Sequence, residues 1–227
     1  PRYQSKLKIP DHIIWHEGEY AHQGEAVRCW ETSEHPERGI FEMATAAGKT
    51  ITALICATRA HERLAPGTSF LVVVAAPTRP IIKMWQDEIS NFGVRAEVPS
   101  LPGRGSKLQK VTRALDGLAG GQTQVLIVTN HHLCEGVFGN TLRSEILRRV
   151  DTDHPVVMML IGDEVHRLGA EGFRPEGADF FEKRLGLSAT PVRQYDEEGT
   201  EKVFEFFHKP LYQFGLDKAI GFCLAEY

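Results

Sequence analysis

The stretch Ala44-Thr45-Ala46-Ala47-Gly48-Lys49-Thr50 follows a short apolar run, Gly39–Met43, and leads into Thr50–His61, where Ile51, Leu54, Ile55 and Thr58 recur at helical spacing. A turn of successive backbone N–H groups at the mouth of a helix is an anion site, because unpaired donors and the positive helix end point the same way. In that setting Thr45, Ala46, Ala47 and Gly48 would cradle phosphate oxygens, and Gly48 would let the backbone come close for want of a Cβ. Lys49 would put its ammonium between the β- and γ-phosphates of a nucleotide, and the Thr50 hydroxyl would ligate Mg²⁺. The full phosphate-loop pattern asks for glycine where Met43 stands. Taken alone, Gly-Lys-Thr also fits the start of an ordinary helix.

The second group is acidic. Val156–Ile161 is wholly apolar and Gly162 carries it into Asp163-Glu164-Val165-His166. Two adjacent carboxylates at the end of a buried strand are costly to desolvate unless a cation or ordered water accompanies them. Asp163 is expected to hold magnesium, largely through its water shell, since Mg²⁺ gives up water reluctantly. Glu164 is placed to orient and deprotonate an attacking water. His166 could meet a γ-phosphate or the neighbouring loop, and a solvated surface turn remains the plain alternative. A third group, Ser188-Ala189-Thr190, closes the short apolar run Leu185–Leu187 before Pro191. Its two hydroxyls could donate to the acidic group. As a bare tripeptide it is equally a simple turn.

The elements that would hold these groups are legible as apolar runs alternating with helical spacing. Phe70–Ala76, Gln124–Val128 and Val156–Ile161 are continuous apolar strands, Pro80–Phe92 has helical spacing, and Arg184–Leu187 and Leu211–Phe214 flank the acidic segment Asp196–Glu205. Strands apolar on both faces, separated by helices, predict an α/β fold with a mostly parallel sheet of about seven strands and helices on both faces. Ligands of such sheets bind at the carboxyl ends of the strands, where all three groups fall.

Composition bounds the rest. The 227 residues, at about 150 per domain, make one large domain with an extension. With 42% hydrophobic and 25% charged residues the chain is an ordinary globular protein, which excludes a disordered tail, a fibrous rod and a disulfide miniprotein. Lys and Arg number 26 against 30 Asp and Glu, so nucleic acid could be held only by a local patch or a partner domain and not by net charge. Cys29, Cys56, Cys134 and Cys223 are scattered and read as reduced and structural; His131, His132 and Cys134 lack a second cluster at ligand spacing and make no zinc site. No apolar run approaches the roughly 20 residues of a membrane helix, and the N-terminus has no signal-peptide core. A soluble, cytoplasmic protein without a membrane partner is expected.

In order, MATAAGKT, DEVH and SAT resemble motifs I, II and III of the superfamily 2 helicases and translocases, DEVH being of the DExH type. The loop is most similar to the MATGTGKT form of type I and type III restriction-enzyme motors, in which methionine at position 43 is ordinary. Ala46 and Ala47 depart from it, the third residue before Lys49 being usually glycine. The resemblance covers roughly residues 20 to 191 and implies a RecA-like P-loop ATPase domain that uses ATP and Mg²⁺. It implies that Gln23, in His22–Val27, reads adenine, and that Pro77, Thr78 and Arg79 (motif Ia, with Trp85 and Gln86 as a QW pair) and Thr129 and Asn130 (motif Ib) contact a nucleic-acid backbone. Ser188 and Thr190 would couple hydrolysis to motion.

The same resemblance sets the expected organisation. Residues 1–19 form an N-terminal extension, 20–210 the ATP-binding domain, and 211–227 the start of a connection to a second RecA-like domain that would supply arginine fingers. Phe204–Tyr227 resembles the segment where such motors leave the first domain. The intact protein is expected to be an ATP-driven helicase or translocase on DNA, in restriction, repair or phage defence, with room for further subunits. The domain alone is expected to hydrolyse ATP weakly. The alternative is a nucleotide-dependent switch that binds ATP without hydrolysing it efficiently.

Overall fold

The computed structural model describes residues 3–99, 106–118, 120–134, 136–148, 155–170, 173, 178–191, 196–220 and 222–223. The strands are β1 (Arg38–Met43), β2 (Ser69–Ala76), β3 (Ala96–Glu97), β4 (Thr123–Thr129), β5 (Val156–Asp163), β6 (Lys183–Ser188) and β7 (Pro210–Phe214). The helices are α1 (Ala21–Thr32), α2 (Lys49–Glu62), α3 (Arg79–Asn91), α4 (Lys107–Asp116), α5 (Asn130–Cys134), α6 (Gly136–Leu147), α7 (His166–Ala170), α8 (Glu197–Phe207) and α9 (Leu216–Ala219). Among the described residues, seven strands form one sheet in the order β3-β4-β2-β5-β6-β1-β7. Every neighbouring pair is parallel.

Both faces of this sheet are covered, which is why its central strands are apolar throughout. On β2, Phe70, Val72, Val74 and Ala76 face one core with residues of α1, α2 and α3. Leu71, Val73 and Ala75 face the other, with residues of α4, α6 and α8. The period of two along each strand distributes a single apolar run between two cores.

Local chemistry sets the helix starts. Pro80 lies in the first turn of α3, where its missing N–H costs nothing. Ser106 and Gln109 form a reciprocal capping box on α4: Ser106 Oγ accepts from Gln109 N at 3.2 Å, and Gln109 Oε1 accepts from Ser106 N at 2.8 Å. The acidic segment Asp196–Glu205 is itself mostly helix. Asp196 Oδ1 accepts from Gly199 N at 2.8 Å, and Glu197 and Glu198 stand in the first turn of α8, where the helix dipole favours negative charge. Val203, Phe206 and Phe207 supply its buried face.

Two ties close the assembly. The N-terminal segment runs along the sheet's far end: Gln4 N and Lys8 N donate to Gly93 O and Phe92 O at the end of α3, and Thr123 N donates to Ser5 O. Arg184, on β6, is buried and donates to Phe181 O (2.8 Å), Asp179 O (3.0 Å) and Phe206 O (3.1 Å), its guanidinium 4.0 Å from the Phe206 ring centre. Burial, with Arg38 alongside, pulls its pKa down to about 10. Trp30, fully buried on α1, donates its indole N–H to Arg184 O at 3.1 Å. Trp30→Ala removes that ring and the donor together, and should lower unfolding free energy by about 3–5 kcal/mol, read as a fall in the urea midpoint.

Candidate functional site

The strand order dictates what can meet. β1 and β5 both flank β6, so the loop after β1, the turn after β5 and the end of β6 share one stretch of the carboxyl edge. Met43 ends β1, Asp163 ends β5 and Ser188 ends β6. Gly162 is in register with Gly186, and Glu42 with Ser188.

The loop from Ala44 to Gly48 is held at both sides. Ala44 N donates to Phe214 O at 2.8 Å and Ala47 N to Ala44 O at 3.1 Å. Ala46 and Gly48 have φ of 66° and 81°, the left-handed region, so two residues on either side of Ala47 turn the backbone back on itself. Gly48 is required for a second reason: a Cβ there would come within 2.4 Å of Gln23 Nε2. Gln23 is buried against the loop and its Oε1 has no hydrogen-bond partner. An amide held with one buried face unsatisfied is free to read a ligand edge that both donates and accepts.

Lys49 opens α2, and its Nζ donates to Met43 O at 3.0 Å and Ala44 O at 3.3 Å. Burial pushes its pKa below the ordinary lysine value, while Glu164 and Asp163 act in the opposite sense, which brings the ammonium and both carboxylates into one field. Asp163 is buried and its pKa is raised by that burial; the Trp85 indole counteracts, Glu164 adds to the rise, and Lys49 opposes it. Trp85 Nε1 donates to Asp163 Oδ2 at 2.9 Å. Thr50 is half-buried beside Lys49.

The acidic turn is seated on two glycines. A Cβ on Gly162 would come within 2.7 Å of Val165 Cγ1 and 3.0 Å of Phe207 Cζ, and one on Gly186 within 3.0 Å of Val165 Cγ1. Val165 fills the hollow that this cross-strand glycine pair leaves, and its N–H donates to Leu187 O at 3.1 Å. With Val165 fixed from below, Glu164 adopts φ 50° and remains half-exposed. His166 Nδ1 lies 2.9 Å from Ser188 Oγ and 3.4 Å from Glu164 Oε2. Ser188 Oγ also accepts from Thr190 N at 3.1 Å. The hydroxyl of Ser188 thus meets the acidic group through His166, and Thr190 presents its side chain to solvent.

The residues expected on nucleic acid lie along the same edge, after β2 and β4. Arg79 is exposed at the first position of α3, and Pro77 and Thr78 are half-buried before it. Thr129 Oγ1 accepts from His132 N at 3.1 Å and so caps α5. Asn130 differs from expectation: its side chain is wholly buried and neither amide atom has a hydrogen-bond partner, so it offers nothing at the surface. Among the described residues no cluster of three or more His, Cys, Asp or Glu could hold a metal, and no helix is long and apolar enough to cross a membrane.

Sequence reasoning passed over His22. Its Nε2 lies 2.9 Å from Ala47 O and its Nδ1 3.1 Å from Glu19 O, and its ring stacks on Phe214 at 4.3 Å. It bridges α1, the loop and β7. Its place directly before Gln23 was the only local signal. The roles of Trp85 and of the glycine pair had none, since their partners are distant in sequence.

The family described as Type III restriction enzyme, res subunit, matches residues 18–193. No curated protein sequence matches the chain. Among solved structures the fold is similar to a nuclease-deletion mutant of the type ISP restriction-modification enzyme LlaGI in complex with a DNA substrate mimic (TM-score 0.57, 14% identity, 88% of this chain and 20% of that one). It is also similar to the UvsW helicase of bacteriophage T4 (TM-score 0.55, 16% identity, 90% of this chain and 62% of that one). A third likeness is to the Hef helicase domain of Pyrococcus furiosus (TM-score 0.52, 19% identity, 85% of this chain and 37% of that one). The chain thus spans between a fifth and about three fifths of these proteins. They bear out the RecA-like α/β expectation.

One departure from the family loop has a local energetic meaning. Ala46 stands where the resemblance expects glycine, and its φ of 66° costs a side-chain-bearing residue about 1–2 kcal/mol. Glycine's greater freedom in the unfolded chain returns part of that gain. Ala46→Gly should therefore raise the melting temperature by about 2 °C in calorimetry, whereas Ala47→Gly should lower it.

Proposed function

The chain belongs to the family of type III restriction enzyme res subunits, and we propose from that premise that it is the ATP-binding, RecA-like domain of a DNA helicase or translocase. The single observation that carries the proposal is the half-buried Lys49 ammonium lying in the field of Asp163 and Glu164 at the edge where β1, β6 and β5 end. A lysine at a helix mouth and an acid pair in one field are what a triphosphate and its metal require.

The residues fit that ligand. The left-handed pair Ala46 and Gly48 turns the loop back on itself, Gln23 keeps a buried oxygen unsatisfied, and Asp163 is held by the Trp85 indole and the Glu164 backbone as a charged carboxylate would be. Lys49 and Thr50 hold the phosphates and magnesium, Asp163 holds magnesium, and Gln23 reads adenine. Bound magnesium would neutralise charge on the phosphates. Glu164, half-exposed and directed by the seat of Val165, takes the proton of the attacking water. His166 and Ser188, in contact across the turn, sense the γ-phosphate, and Thr190 relays the change.

Pro77, Thr78, Arg79 and Thr129 grip DNA through its phosphates, without reading sequence. Residues 20–210 form this domain, 1–19 an extension, and 211–227 lead toward a second RecA-like domain that completes the ATP cleft. The cytoplasm is the proposed place of action. The likeness in fold to LlaGI, solved with a DNA substrate mimic, supports DNA as the polymer.

Lys49→Ala should abolish nucleotide binding in a fluorescent-nucleotide titration. Glu164→Gln should keep that binding while lowering ATP turnover by about 10²-fold or more in the intact protein. The 227-residue chain alone should turn ATP over poorly and separate no strands. Either variant hydrolysing at the unmodified rate would refute the assigned roles.

A further inference from the structure

Trp85 lies fully buried near the middle of α3, a helix whose first residue is Arg79, and it spends its one polar group on an acidic side chain. The indole N–H to Asp163 Oδ2 contact, at 2.9 Å, joins residues from two different strand–helix units. Any buried indole N–H needs an acceptor, and Trp30 finds one in a backbone carbonyl, whereas Trp85 takes a side-chain carboxylate at the site. A carboxylate with one oxygen tied to a neutral donor has its plane fixed and its second oxygen aimed, as metal-binding carboxylates are aimed by the groups hydrogen-bonded behind them. Ile82 and Ile89 bury the same face of α3 without polar contact, so packing is supplied independently of Trp85.

We propose that Trp85 is a positioning residue for the magnesium-binding carboxylate: its indole N–H holds Asp163 Oδ2 and fixes the orientation in which the carboxylate would receive the metal. The proposal rests on the nucleotide site described above. It also places the aiming group on the helix that begins with the proposed phosphate grip, so α3 carries one contact to DNA and one to the metal carboxylate.

The test measures ADP affinity of the 227-residue chain by titration with a fluorescent ADP analogue, with and without magnesium. Trp85→Phe keeps an aromatic ring and removes the N–H. It should cut the affinity gained from magnesium about tenfold, the scale of a lost hydrogen bond to a charged group, and leave the magnesium-free affinity unchanged. In the Asp163→Asn background the same substitution should have no further effect on that gain. Ile89→Val, which loosens α3 without touching Asp163, should leave the ratio unaltered.

Should Trp85→Phe not fold, the unaltered chain labelled with ¹⁵N at its three tryptophans answers the question. The Trp85 indole resonance should move when magnesium joins bound ADP. An equal magnesium response in wild type and Trp85→Phe, or an immobile Trp85 resonance, overturns this proposal and leaves the nucleotide site standing. A wild-type chain that binds no ADP, or binds it indifferently to magnesium, overturns both.

Discussion

The Lys49 ammonium and the Asp163 carboxylate are kept at the end of a sheet buried on both faces because each makes the other's loss of water tolerable, while Glu164 stays half-exposed beside them. Lys49 alone would be driven toward its neutral form by burial, and Asp163 alone would be driven toward protonation. Each also draws the other back toward charge. The arrangement depends on strand order: β6 stands between β1 and β5, close enough for the opposed charges to share a field. Removing Lys49 leaves the buried Asp163 charge uncompensated, so these two are energetically one unit.

The backbone beneath the acids is as constrained as the charges. Gly162 and Gly186 face each other across two strands, Val165 fills the space they leave, and Glu164 is bent into a conformation that side chains seldom adopt. Local strain of this kind persists where its surroundings over-determine it, and here the packing of one valine does so. The loop after β1 has the same left-handed backbone at Ala46. Glu164 is supported from the core through Val165, whereas Ala46 is exposed on its loop.

Much of the fold was legible in the sequence because a parallel sheet covered on both faces writes its strands as unbroken apolar runs, and six of the seven were found that way. The two-residue β3 was too short to leave a run. Helix α8 was hidden by its acidic start, which reads as loop until the capping role of Asp196 and the buried spacing of Val203, Phe206 and Phe207 are seen together. At the site, Lys49, Asp163, Glu164 and Ser188 were legible as strand-end chemistry. The burial of Asn130 was not, because polarity at a strand end signals a surface unless a neighbouring helix covers it. Trp85 was noticed as half of a pair, but its partner Asp163 comes from another unit of the chain, and no periodicity encodes such a contact.

The N-terminal segment gives α3 an asymmetry. Gln4 and Lys8 fasten to Gly93 and Phe92, just past the helix's last turn, and Ser5 stitches the same strip to the start of β4. Arg79, at the opposite end, stands in solvent. That anchorage is supplied by residues lying before every helix and strand of the fold, so trimming or tagging this short segment would free the tail of α3 while its buried face stays packed.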